Sequence, residues 1–186
     1  GIGDMRLSVS MWVKDPSFHP KGNMAIGVGI KAPTGNANVM DDFHKLDKAG
    51  LEYIQTKAVD QSIQLGDSGW GESIELQGYY MTSKKSSIYY NGFYLFSPKA
   101  VNKATNFSVP DQFGARIGAT YTAFPKQNIS FLLGGRLEGL PSKDLIGGSE
   151  GARRPGYIVS VEPGLIYNSH KQTIMLTVPY ALIRDR

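Results

Sequence analysis

Eight stretches of this 186-residue chain alternate apolar side chains with small or polar ones at a period of two. In the first, Met5, Leu7, Val9, Met11 and Val13 alternate with Arg6, Ser8, Ser10 and Trp12. In the second, Met24, Ile26, Val28 and Ile30 alternate with Ala25, Gly27, Gly29 and Lys31. The third sets Ile74, Leu76 and Tyr80 against Ser73, Glu75, Gln77 and Tyr79, and in the fourth Ile88, Tyr90, Tyr94 and Phe96 share a face with Gly92. The fifth sets Phe113, Ala115, Ile117, Ala119 and Tyr121 against Gln112, Gly114, Arg116, Gly118 and Thr120. In the sixth, Ile129, Phe131, Leu133 and Leu137 face away from Ser130, Gly134, Arg136 and Glu138. The seventh and eighth repeat the pattern with Tyr157, Val159, Val161 and Leu165, then Ile174, Leu176, Val178, Tyr180 and Leu182. Successive side chains of a strand point to opposite faces, so each stretch reads as a strand with one apolar face. No 3.6-residue pattern competes. The fold class is all-β, built of antiparallel strands.

The connections alternate as regularly as the side chains. Those at 15–22, 82–86, 124–128 and 168–171 are short; those at 32–68, 98–110 and 139–154 are long. In an up-and-down sheet every other turn lies at the same end. All the short turns therefore fall at one end and all the long loops at the other, the layout of an outer-membrane barrel. Strands of about ten residues suit a tilted bilayer crossing of roughly 9–11 residues, whereas soluble strands average about 5–6. The expected architecture is an antiparallel up-and-down transmembrane β-barrel, one domain over residues 1–186. At least eight strands are visible, and ten to twelve are expected in the full protein. The opening GIGDMRLSVS reads as a strand already under way, so further portions are expected at both ends.

The bare face of the second stretch now has a reason. Its Met, Ile and Val side chains are expected to meet lipid, while Ala and Gly leave room in a lumen where Lys31 stays wet. The expected lumen-lining residues are Arg6, Lys31, Glu75, Gln77, Arg116, Arg136, Glu138 and Glu162. The turn at 124–128 sets Ala123 opposite Ile129 and, counting back, Arg116 opposite Arg136. Two guanidinium groups so placed repel unless carboxylates lie between them, so an Arg/Glu lattice with Glu138 and Glu162 is expected. Such a lattice either fills and stiffens the interior or forms a charged constriction. A soluble lipocalin-like barrel, the competing architecture, would turn the apolar face inward around a ligand. Pro163 and Pro179 lie nearly opposite each other in the last two strands, where a missing ladder donor predicts a bulge and a change of facing beyond it.

Composition excludes several classes. There is no Cys, hence no disulfide framework and no thiolate metal site. Twenty Lys and Arg against sixteen Asp and Glu give a net charge of +4, with no basic stripe that would suit nucleic acid. No apolar run approaches the ~18 residues of a membrane helix. His19 and His170 fall in short turns and His44 in a long loop at the other end, so the three histidines do not converge, and no catalytic site is expected. GGSEG at 147–151 lacks the Lys-Ser/Thr and the helix of a phosphate loop. Asp41, Asp42, Asp47, Asp60 and Asp67 crowd the longest loop and could hold Ca²⁺, although a solvated loop is the expectation there. No cofactor or metal is expected.

Several segments carry a family resemblance. GIGDMRLSVSMWV, GVGIKAPTG, VDQSIQLGDSGWG, SVPDQFGARIGATY, GGRLEGLPSKDLIGGSEGARRPGYIVSVEPGL and VPYALIRDR resemble the bacterial outer-membrane family named for transport in the MetA pathway of phenol degradation. The resemblance spans nearly the whole chain and is most specific in the loops. It implies an outer-membrane location and passage of small, aromatic solutes. Members also run on beyond the RDR-like segment to an aromatic C-terminal residue, which Arg186 does not supply. The expected partners are outer-membrane lipid, a small solute and other outer-membrane proteins. A non-conducting structural or partner-binding barrel is the alternative function.

Overall fold

Thirteen strands follow one another in the computed structural model, which describes residues 1–169 and 171–185. They are β1 (Met5–Trp12), β2 (Gly22–Ala32), β3 (Met40–Leu46), β4 (Glu52–Ala58), β5 (Gly71–Met81), β6 (Ser86–Phe96) and β7 (Val101–Asn102). Then come β8 (Phe107–Ser108), β9 (Gln112–Phe124), β10 (Ile129–Leu140), β11 (Gly156–Asn168), β12 (Thr173–Thr177) and β13 (Tyr180–Asp185). No α-helix occurs among the described residues, and no helix is long and apolar enough to cross a membrane.

One antiparallel sheet carries the fold, in the order β1-β2-β5-β6-β9-β10-β11, with β12 and β13 both paired to the far side of β11. β12 and β13 are the two halves of an eighth strand. Every neighbour in the sheet is also the next strand in the chain, apart from small hairpins inside the long loops. All three long connections therefore leave from one end.

The sheet is curled into a half-barrel. β1 and β9 are four places apart, about 19 Å on a flat sheet at ~4.8 Å per strand, which is farther than two side chains span. Yet Arg6 Nη2 donates to Gln112 Oε1 at 2.6 Å. Arg116 on β9 likewise reaches Glu162 on β11 past β10. The first of these, across three intervening strands, requires a concave face. Among the described residues neither outer edge, β1 nor the β12/β13 pair, is hydrogen-bonded to the other.

Facing follows the alternation. On β2 the residues Ala25, Gly27, Gly29 and Lys31 are buried, while Ile26, Val28 and Ile30 are exposed, Val28 at 63%. The outer face continues as Leu7, Val9, Ile74, Ile117, Leu133 and Leu176, all exposed. Buried side chains include six apolar and nine polar or charged residues. An ordinary soluble core shows the reverse balance.

Turn lengths set the register. Tyr80 pairs with Ile88, Gly78 with Tyr90 and Leu76 with Gly92, as a turn at 82–86 requires. Arg116 pairs with Arg136, also as counted from the sequence. The first rung differs: Ile129 sits opposite Phe124, not Ala123, because Pro125–Gln127 forms a 3₁₀ turn and the ladder shifts at once to Ser130–Thr122. Asn128 closes that turn in the left-handed region, at φ 58°.

The eighth stretch is not continuous. Val178 donates to the Pro163 carbonyl at 3.1 Å. In an antiparallel ladder a residue's N and O face the same neighbour, so the donor that Pro163 lacks faces the very strand in which Pro179 lacks its own. Pairing breaks there without a change of register, and the bulge expected at the prolines falls three residues on, between Val159 and Ser160. Tyr180 lies opposite Val161, Ala181 opposite Ser160 and Ile183 opposite Val159, so Leu182 is the extra residue. Beyond it the facing of the single expected strand is reversed.

Candidate functional site

Glycine rungs open the concave face and bulky groups close over them. Read across β6, β9, β10 and β11, one rung is Tyr89–Gly118–Gly134–Glu162 and the next is Asn91–Arg116–Arg136–Ser160. A Cβ on Gly118 would fall within 2.7 Å of three atoms of the Tyr89 side chain, so only glycine lets the ring lie flat across the neighbouring strand. Phe93 covers Gly114 in the same way, and on the outer face Tyr90 covers Gly78. Trp12 and Tyr79 meet edge to face at 6.0 Å across β2. The Tyr89 hydroxyl is buried without a hydrogen-bond partner among the described residues.

Glu162 lies opposite Gly134 on that rung, while the Tyr89 hydroxyl reaches over Gly134 from two strands away. The Glu162 side chain is 1% exposed and is gripped from two strands: Arg116 Nη2 at 2.6 Å and Nε at 2.7 Å, and Arg136 Nη1 at 3.5 Å. Arg136 also pairs with Glu138, two residues along its own strand. The four charges make a connected lattice of two cations and two anions, which is what permits the paired arginines to share a rung. Arg116 and Arg136 remain 27% and 37% exposed, so water reaches this lattice from the open side.

The other sequence-predicted residues spread around the curl. Glu75 accepts from Ser73 Oγ at 3.1 Å, and Gln77 is exposed one step along β5. Arg6 bonds Gln112, which was not among the expected site residues. Lys31 departs from expectation. It is 2% exposed, not wet, because the long loop after β2 folds back and sets Asp67 on its ammonium, with Asp4 at 3.8 Å.

The three long loops form one roof above this face. The first contains the β3–β4 hairpin, closed by Asp47 and by Gly50 at φ 81°, and it stands largely exposed. The second contains β7–β8, and Phe107 bridges in parallel to Ala152 of the third. Asn102 donates to the Ala37 carbonyl and to Asn38, and Gln61 to the Ser108 carbonyl, tying the first loop to the second. Arg153 pairs with the wholly buried Asp144 and donates to Ser108 Oγ at 2.8 and 3.0 Å. Asp111, also fully buried, accepts from Ser97 N–H, Tyr94 hydroxyl and Leu145 N–H. The longest loop is solvated at its hairpin, where Asp41, Asp42 and Asp47 are exposed, and the remaining loop segments form an interlocked polar layer.

The acidic residues of the first loop do not converge. Asp42 accepts from Thr56, Asp47 caps its own turn, Asp67 holds Lys31 and Asp60 holds Arg154. No group of three or more His, Cys, Asp and Glu side chains that could hold a metal occurs among the described residues. His44 pairs with Glu52 at 2.6 Å, and His19 contacts the Asp15 carbonyl within its own turn. His170 and Arg186 lie outside the described residues.

Asp60 offers a pH handle on the roof. The Ser62 backbone N–H, then its hydroxyl, then Arg154 hold its carboxyl down at about 2. A lowered carboxylate stabilises above its unfolded pKa of about 3.9 and loses that contribution as pH falls through the folded value. The bridge between the first and third loops is therefore expected to persist at pH 4 and to open toward pH 2. Amide exchange at Ser62 checks this, and Asp60→Asn should abolish the transition. Protection that does not change between pH 4 and pH 2 would contradict it.

No protein-family model matches the chain, and no curated protein is significantly similar to it. The resemblance noted in the sequence rests on the quoted segments alone.

Proposed function

We propose that this chain forms the wall of an outer-membrane β-barrel through which small solutes pass, aromatic ones included. The observation that carries the reading is the inverted polarity of the sheet. Its convex face is a band of exposed Leu, Val, Ile and Met, and its concave face buries Lys31, Ser130, Ser160 and Glu162. Such a band in water would be an aggregation surface, whereas in a bilayer it is the ordinary lipid contact. A lipocalin-like barrel needs the opposite facing. Strands of 11 to 13 residues in β2, β5, β6, β9, β10 and β11 are long enough to cross with a tilt. Exposed Tyr80, Tyr121, Tyr157, Tyr167 and Tyr180 suit interfacial girdles. The resemblance to the phenol-degradation transport family supports aromatic cargo and an outer-membrane location.

A non-conducting structural barrel is the second reading. It is favoured by Glu162, whose buried double pairing spans three strands in the manner of a plug.

Adjacent positions of β5 test the membrane assignment. Leu76 and Gln77 point to opposite faces of the sheet. In lipid vesicles a nitroxide at Leu76 should be relaxed by oxygen, and one at Gln77 by a water-soluble nickel chelate. Equal accessibility at the two positions would remove the assignment.

A further inference from the structure

Arg6 differs from the other cations of the concave face and from Arg154 of the roof. Arg116 and Arg136 share Glu162, Lys31 has Asp67, and Arg154 has Asp60. Arg6 enters no ion pair among the described residues. Its one hydrogen-bond partner among them is neutral, the side-chain carbonyl of Gln112. The guanidinium is thus anchored across the curl by a neutral partner, with no carboxylate in direct contact; it is exposed, and Glu75 lines a second cavity on its other side.

That charge faces a chamber. Arg6 and Gln112 both line a cavity of about 440 Å³ between the concave face and the loop roof. The volume lies within the roughly 300–1,000 Å³ of small-molecule sites. The two carboxylates in its wall are already engaged. Asp67 holds Lys31 and accepts from Gly69 N–H; Asp4 accepts from Gly35 N–H at 2.9 Å and Asp67 N–H at 3.3 Å. Leu65, Phe107 and Leu140 supply apolar wall. A planar guanidinium offers a carboxylate two parallel N–H donors, and the apolar walls suit an organic body more than an inorganic anion.

We propose that this chamber is a binding site for a small organic monocarboxylate, with Arg6 holding the carboxylate and Gln112 fixing the guanidinium. The proposal deepens the reading of the concave face as a solute path and rests on it. Gln112 thereby becomes a specificity residue. As a carboxylate in its place, it would neutralise Arg6 internally.

Equilibrium dialysis of the intact protein in micelles tests this with three ring-matched probes: benzoate, benzamide and benzylammonium. Benzoate is expected to bind at least about tenfold more tightly than the other two, the range of one charge-assisted hydrogen bond. Arg6→Gln should abolish the preference. Gln112→Glu should abolish it as well while leaving Arg6 in place, and heat-modifiable migration on gels shows whether each variant is folded. Equal binding of the three probes, no binding of benzoate, or a preference that survives in either folded variant overturns the site. The channel reading fails separately: benzoate binding that is intact in micelles but accompanied by no conductance in planar bilayers would refute solute passage and leave the Arg6 site standing.

Discussion

Val28→Arg is expected to lower the unfolding free energy of the protein in bilayers by about 2–4 kcal/mol, the cost of an arginine on the lipid face near the midplane. Val28 is one residue from the centre of β2, and its side chain is 63% exposed on the convex face. An exposed position on a soluble protein would tolerate the same change within about 0.5 kcal/mol. The two environments therefore predict well-separated results from one substitution. Depth supplies the control. Met24, two residues from the start of β2 and on the same face, should cost only about 0–1 kcal/mol as Met24→Arg if the strand end lies at the interface. Urea unfolding of both variants in phosphatidylcholine vesicles measures the pair. Equal, small losses would mean that no hydrocarbon covers this face.

The strands and their pairing were legible because both rest on local rules. A period of two in Met24–Ile30 and Phe113–Tyr121 fixes which face each residue takes, and a short turn fixes the rung at which its neighbour starts. Arg116 beside Arg136 follows from those two facts alone. The prolines also marked the weak ladder, although only the structure shows that Pro163 and Pro179 remove donors from the same interface and divide the last strand. The roof was not legible. Its contacts join residues far apart in irregular segments, such as Asn102 with Ala37 or Arg154 with Asp60, and nothing periodic signals them. Lys31 was misjudged for the same reason. Its counterion Asp67 is 36 residues away, and it arrives only because the long loop folds inward. The aromatic covers over Gly114, Gly118 and Gly134 left a fainter sign. Each glycine lies on the inner parity of its strand, and Tyr89 and Phe93 occupy the same rungs one or two strands away.

Glu162→Gln should be the most damaging single change inside the curl, at about 3 kcal/mol or somewhat more. The carboxylate is buried and serves two guanidinium groups that face each other on one rung, so its loss leaves their repulsion uncompensated. The lower end of the 3–5 kcal/mol range applies because both arginines keep partial contact with water. The two arginines are not equivalent. Arg136 retains Glu138, whereas Arg116 has no other carboxylate among its ion pairs in the described residues. Arg116→Gln in the Glu162→Gln background should therefore recover most of the loss, while Arg136→Gln in that background should recover less, since it strands Glu138 in turn. Denaturant unfolding of the wild type and these three variants in micelles gives the comparison. The same proteins in planar bilayers separate the two roles of the lattice. A constriction predicts that the recovered double variant, with one fixed cation and one fixed anion fewer, changes ion selectivity as well as conductance. A plug predicts that folding stability moves and selectivity does not. A Glu162→Gln protein within about 0.5 kcal/mol of wild type would show that water, not the lattice, already screens the paired arginines.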